Sequence, residues 1–151
     1  MQRRSVGRDG PERLARIPLF DGLSEGQRRM LAGLVDEVLA EGGEVLMAEG
    51  EQGFEMMMIE EGTAAVRQHG EQINEMQPGD FFGEMAILGD GMPRSATVTA
   101  STPVRGLLFS AHFVREIRDR LPAIGERIER AAADRAGRDQ LAQAAEDPAK
   151  A

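Results

Sequence analysis

Between Val35 and Ser110 apolar and polar residues alternate over short runs. Turn formers break these runs at Gly42-Gly43, Glu49-Gly50, Gly53, Gly62, Gly70, Pro78-Gly79-Asp80, Gly89-Asp90-Gly91 and Thr102-Pro103. Period-two runs bounded by glycine and proline read as strands. The pattern predicts eight of them, near 36–40, 44–47, 54–60, 63–68, 72–76, 80–82, 96–100 and 104–109. So many short strands at close spacing point to a sandwich, jelly roll or barrel. Met56-Met57-Met58 lies in one of these runs and reads as core and surface positions alternating on a strand.

The flanks follow a helical period. Glu12 to Ile17 is a short helix stopped by Pro18. Ser24-Glu25-Gly26-Gln27 is a capping box opening a helix to about Leu34. Ser110 caps a helix to about Arg120, and Pro122 suits the first turn of another that reaches about Ala145. Glu126–Arg130 and Asp134–Arg138 support it as i,i+4 pairs, and Glu146-Asp147-Pro148 ends it. Leu121, Ile124, Ile128 and Ala131 form its apolar stripe until Arg135 and Arg138 interrupt it. That stripe predicts packing on the chain's own β core, with a monomer or weak dimer as the state of assembly. The layout is then a flexible arm over 1–10, one domain over 11–145 and a flexible tail over 146–151. Inside the domain, helices occupy 11–34, the β core 35–110 and further helices 111–145.

Composition narrows the classes. The 151 residues suit one domain, and Leu, Ile, Val and Phe make 33 of them, enough with nine Met for a core. There is no Cys, hence no disulfide or zinc–thiolate site. Apolar runs are far too short for a membrane span, and no apolar stretch follows Arg3, Arg4 and Arg8 to make a signal peptide. These features predict a cytoplasmic chain. A net charge of −8 repels phosphate backbones, so direct nucleic-acid binding is not expected. His69 reads as an exposed turn residue and His112 as a surface or capping residue. Neither has the spacing of a metal ligand, and no Gly-x-Ser-x-Gly or Cys–His pair is present, so no catalytic residue, metal or cofactor is expected.

The chemistry concentrates in one segment. From residue 68 to 104 the acids are Glu71, Glu75, Asp80, Glu84 and Asp90, and Arg94 is the sole Lys or Arg. Such an arginine is an ion-pair partner or an anion receptor. Its context favours the receptor. A helical turn opening at Gly83 would aim free N–H groups at an anion, and glycine lets a ligand approach the main chain. The Arg94 guanidinium is a planar fork that matches two oxygens of one phosphate. Ser95 adds a hydroxyl and an N–H, and Ala96 another N–H. Glu84 repels phosphate but can accept from a ribose 2′-hydroxyl. Phosphate beside a free ribose hydroxyl means a nucleotide.

Phe82-Gly83-Glu84-Met85-Ala86-Ile87-Leu88 followed by Pro93-Arg94-Ser95-Ala96-Thr97-Val98 resembles the phosphate-binding cassette of the cyclic nucleotide-binding domain family. That family includes catabolite-activator-type transcription factors, protein kinase A regulatory subunits and cyclic-nucleotide-gated channels. The resemblance spans about 14–135 and takes in Pro18-Leu19-Phe20 with Leu23, Glu49-Gly50-Glu51-Gln52-Gly53, Gly62 and Pro78-Gly79-Asp80. The overall look is especially similar to the C-terminal domain of prokaryotic cyclic-nucleotide-gated potassium channels. It implies a mainly β fold: an eight-stranded jelly-roll (double-stranded β-helix) barrel flanked by N- and C-terminal α-helices, with the cassette over 82–98.

The resemblance also implies roles. Gly83 and Ala86 supply N–H groups, Glu84 takes the 2′-hydroxyl, and Met85 lines the site. Arg94 pairs with the cyclic phosphate, and Ser95 and Ala96 complete its cradle. Serine at position 95 leans to cAMP and leaves cGMP open. Val66, Arg127, Ile128 and Arg130 are the candidates for contact with the base. Two positions depart from the family pattern: Phe54, where Asp is frequent, and Met57, where an aromatic is frequent. Both read as core variation. The implied function is a regulatory sensor that binds a 3′,5′-cyclic nucleotide and signals to an unidentified effector protein or domain by moving its C-terminal helices. The alternatives are a sensor domain cut from a transcription regulator or from a channel, or a domain that keeps the cassette without using it.

Overall fold

The computed structural model describes residues 1–84 and 93–146, with side chains as far as residue 134. The strands are β1 (Gln2–Ser5), β2 (Val35–Ala40), β3 (Val45–Met47), β4 (Met56–Glu61), β5 (Ala64–Gln68), β6 (Glu71–Met76), β7 (Phe81–Phe82), β8 (Thr97–Ala100) and β9 (Val104–Phe109). The helices are α1 (Gly10–Ala15), α2 (Glu25–Ala32), α3 (Ala111–Arg120) and α4 (Pro122–Glu146), with a 3-10 turn over Pro18–Phe20. All eight expected strands are present. With β1 they form two antiparallel sheets, ordered β1-β2-β9-β4-β7 and β3-β8-β5-β6. The fold is the expected β barrel with helices at both chain ends.

Local chemistry sets the element ends. Gln27 N–H donates to Ser24 Oγ at 3.1 Å and Ser24 N–H to Gln27 Oε1 at 2.9 Å, so the capping box is complete. Ser110 Oγ accepts from Phe113 N–H at 3.1 Å and opens α3. β5 and β6 join through His69-Gly70, whose φ values of 53° and 82° are both positive, as a two-residue hairpin of right-handed twist requires.

Two apolar clusters fill the molecule. Val38, Leu46, Met57, Ile59, Val66, Val98 and Leu108 come from both sheets and fill the space between them. Leu14, Phe20, Leu31, Met56, Met58, Phe109, Phe113 and Ile128 pack the outer face of the five-stranded sheet against the helices. The rings of Phe20, Phe109 and Phe113 meet with centroids 4.8–5.7 Å apart. Among the described residues no helix is long and apolar enough to cross a membrane.

Three expectations are corrected. The arm over 1–10 is not free: Gln2–Ser5 is a strand paired with Leu39–Asp36, and α1 starts at Gly10. Alternation cannot reveal this, because all four β1 residues are exposed. Met56, Met57 and Met58 do alternate, but helices cover one face and the second sheet the other, so all three are buried. Phe54 is not core variation. It is 53% exposed, whereas Met57 is buried.

A buried ion network ties the N-terminal elements to the barrel. Glu37, on β2, is 5% exposed and accepts from Arg4 Nε of β1 at 2.5 Å and from Arg105 Nε of β9 at 2.8 Å. Arg13 of α1 lies 3.4 Å from Glu37 and also pairs with Glu60 of β4. The hydrogen bond from Arg4, then that from Arg105, holds the Glu37 carboxyl below its usual range despite burial. A depressed carboxylate pKa adds stability that is present above the unfolded value of about 4.3 and is lost as pH falls through the folded value. Glu37→Gln should therefore cost about 2–3 kcal/mol at neutral pH, since Arg13 keeps Glu60. Denaturant titrations should show this gap closing as the wild type is acidified below pH ~4. A gap that stays constant with pH would mean that the Glu37 charge contributes nothing.

Candidate functional site

The ends of β4, β7 and β8 and the turn 49–53 converge on Arg94. β7 pairs with β4 through Met57↔Phe82, which sets Gly83 beside the start of β4. Gly83 has φ +85°, a conformation that favours glycine. A Cβ there would stand 2.5 Å from the Glu55 carbonyl oxygen and 2.9 Å from both Arg94 Nη1 and Met47 Cε. The chain is thus packed as closely as glycine allows at the second residue of the cassette.

The main chain of Arg94 is clamped to the turn. Gly50 N–H donates to Arg94 O at 2.8 Å, and Arg94 N–H donates to Glu51 O at 2.8 Å. Glu49 N–H donates to Thr97 Oγ1 at 3.0 Å. The Glu49 carboxylate in turn accepts from His69 N–H and faces its imidazole, so the β5–β6 hairpin braces the same turn. His69 and His112 are both exposed, as their sequence positions suggested.

The Arg94 guanidinium is half-buried. Nη2 donates to the Glu55 carbonyl at 2.9 Å, and Nη1 faces the Gly83 carbonyl at 3.5 Å. Burial pulls its pKa below the ordinary arginine value, partly opposed by the Glu55 carboxylate. That carboxylate lies 3.3 Å from Arg3 Nη1 on β1. Arginine stays charged at any working pH. Among the described residues its hydrogen bonds go to main-chain carbonyls, which use two of its five N–H donors and leave the cation's charge available to an anion.

The structure brings Gly83, Glu84, Arg94, Ser95 and Ala96 into one neighbourhood. Glu84 is buried at 9% exposure. Ser95 is exposed, and its carbonyl accepts from Gln68 Nε2 at 3.1 Å. Ala96 is half-buried against the inter-sheet cluster that contains Val66, and Val66 pairs with Val98. Met85 and Ala86 lie outside the described residues. The three candidates on α4 are engaged elsewhere. Arg127 donates to the carbonyls of Leu19 and Asp21 at 3.4 and 2.6 Å. Ile128 is fully buried among the helices, and Arg130 is exposed beside Glu126. Sequence reasoning missed the Glu55 carbonyl, Gly53 and Met47, all of which surround Arg94 or Gly83. The Glu49–Gly53 turn was in view as a pattern, but nothing in it announces contact with a residue some forty positions on.

Among the described residues, a planar cation bonded only to main-chain carbonyls beside a closely approached main chain, with the buried Glu84 following Gly83 in sequence, suits an anion that carries an adjacent hydroxyl. Comparison with known proteins adds to this geometry. A family model described as cyclic nucleotide-binding domain matches residues 37–120. A cAMP-dependent protein kinase regulatory subunit of Yarrowia lipolytica is 38% identical over 94 residues, 61% of this chain and 25% of that protein. A cGMP-dependent protein kinase of Eimeria tenella is 33% identical over 90 residues, 60% of this chain and 9% of that protein. The crystal structure of a cyclic nucleotide-binding domain from Methylobacillus flagellatus superposes with a TM-score of 0.69 at 25% identity, covering 95% of this chain and 83% of that one. The chain spans a quarter or less of the length of the first curated relatives it matches.

Proposed function

The chain belongs to the cyclic nucleotide-binding domain family, and on that premise we propose that it is a sensor whose ligand is cAMP. The observation that carries this reading is the Arg94 guanidinium, half-buried beside Gly83 and bonded to carbonyls rather than to a carboxylate among the described residues. A cyclic phosphodiester carries one negative charge and two free oxygens, which a guanidinium fork meets with two parallel hydrogen bonds. Glu84, adjacent in sequence to Gly83, supplies the acceptor for the ribose 2′-hydroxyl. Ser95 favours adenine over guanine, and Val66 lines the barrel wall on the side of the base. The domain binds and does not catalyse.

Transmission follows from unequal affinity. A ligand shifts a protein only between states that it binds differently. Nucleotide fixes the cassette, and α3 and α4 change their seat on the outer face of the five-stranded sheet. An effector protein or domain reads that change. Calorimetric titration of nucleotide-free protein with cAMP and cGMP tests the reading. Saturable one-to-one binding with cAMP the tighter ligand is expected. Tighter cGMP would overturn the assignment of the base, and no binding of either would overturn the sensor.

A further inference from the structure

Gly53 poses a steric question that its own backbone does not answer. Gly50 and Gly83 have positive φ, which favours glycine, whereas Gly53 does not. Its main chain would accept a side chain without strain. Arg94 is what excludes one. A Cβ on Gly53 would stand 2.5 Å from Arg94 Nε, 2.6 Å from Cζ and closer still to Nη2. Three atoms of one planar group, Nη2 nearest, then Nε and Cζ, all lie inside contact range, so the guanidinium packs its Nε–Nη2 side against the Gly53 Cα. Ordinary carbon contacts lie at about 3.5–4.0 Å, so an added methyl would overlap the guanidinium by roughly an ångström. The edges of the group are held as well, by the carbonyls of Glu55 and Gly83.

We propose that Gly53 is a positioning residue for nucleotide binding. Its missing side chain is the slot in which the Arg94 guanidinium lies, and the slot fixes the plane of the fork that meets the phosphate. The inference rests on Arg94 being the phosphate partner. Fork recognition depends on the plane as well as on the charge. With a methyl at position 53, the group that yields is the far end of a flexible side chain rather than the main chain. The fold survives, and the fork leaves its plane.

The test uses Gly53→Ala, Arg94→Lys and the double variant in the intact chain, read by calorimetric titration with cAMP and by thermal unfolding without ligand. A lysine ammonium keeps the charge but has no plane to hold. Gly53→Ala should unfold within a few degrees of the wild type and bind cAMP about tenfold or more weakly. On the Arg94→Lys background the same substitution should change affinity by no more than about twofold. Wild-type affinity in Gly53→Ala would overturn the proposal, and so would equal losses on both backgrounds. Unfolding of both Gly53 variants would also overturn it, by making the glycine a requirement of the fold. A wild type that binds no cyclic nucleotide would remove the parent reading together with the inference. That outcome is distinct, because it shows before any variant is made.

Discussion

Arg94→Ala should remove cyclic-nucleotide binding almost entirely while leaving the protein folded. Truncating one partner of a partly buried, hydrogen-bonded charge pair costs about 2–5 kcal/mol, because the remaining charge is left without its counter-ion. At about 1.4 kcal/mol per factor of ten, that is roughly thirtyfold to several thousandfold in affinity. The ligand-free protein should hardly notice. Burial already disfavours the Arg94 cation, and what is lost is one good and one long hydrogen bond to carbonyls. Titration calorimetry checks the first statement and thermal unfolding the second. Binding within twofold of the wild type would show that the phosphate is held by other groups.

Phe113→Ala should produce the largest loss of stability. The side chain is fully buried on α3, with its ring 4.8 Å from Phe109 of β9 and 5.7 Å from Phe20 of the 3-10 turn. The 3-10 turn, β9 and α3 therefore meet at one ring. Removing a buried phenyl group costs about 3–5 kcal/mol through lost transfer energy and the cavity left behind. A domain of this size is stable by only about 5–15 kcal/mol, so the variant should lose a large share of its stability. Urea titration should show a lower midpoint with an unchanged slope. A loss below about 1 kcal/mol would mean that the helices seat on the sheet without this joint.

Much of this architecture is legible in the residues, for local reasons. Ser24 and Gln27 announce their helix because both partners of the capping box lie three positions apart. The eight barrel strands are visible because each is bounded by a turn whose conformation needs particular residues, His69-Gly70 among them. β1 is not visible, since Gln2–Ser5 bury nothing and are held by pairing to β2 and by the reach of Arg3 and Arg4 to Asp36 and Glu37. Burial of all three consecutive methionines is equally hidden, because alternation tells which face a residue takes and not whether something covers that face. At the site, Gly83 and Arg94 stand out by residue type and spacing. Glu55 does not, because its contribution is a carbonyl oxygen that every residue has. Gly53 looks like turn punctuation until the distance to Arg94 is known.

The borders of the two sheets have a consequence for how the protein behaves in concentrated solution. Open β-sheets tend to recruit further strands from neighbouring molecules wherever a long, flat, unpaired border is offered. Here each border is brief or irregular. β1 has four residues and two arginines, β7 has two residues, and β3 has three with a shift in register. β6 is longer, but its pairing with β5 also shifts in register, and α4 lies against it. Cutting away residues 2–5 would uncover the six residues of β2 and give the five-stranded sheet a border long enough to template aggregation. The four exposed residues that contribute nothing to the core thus guard the domain's solubility.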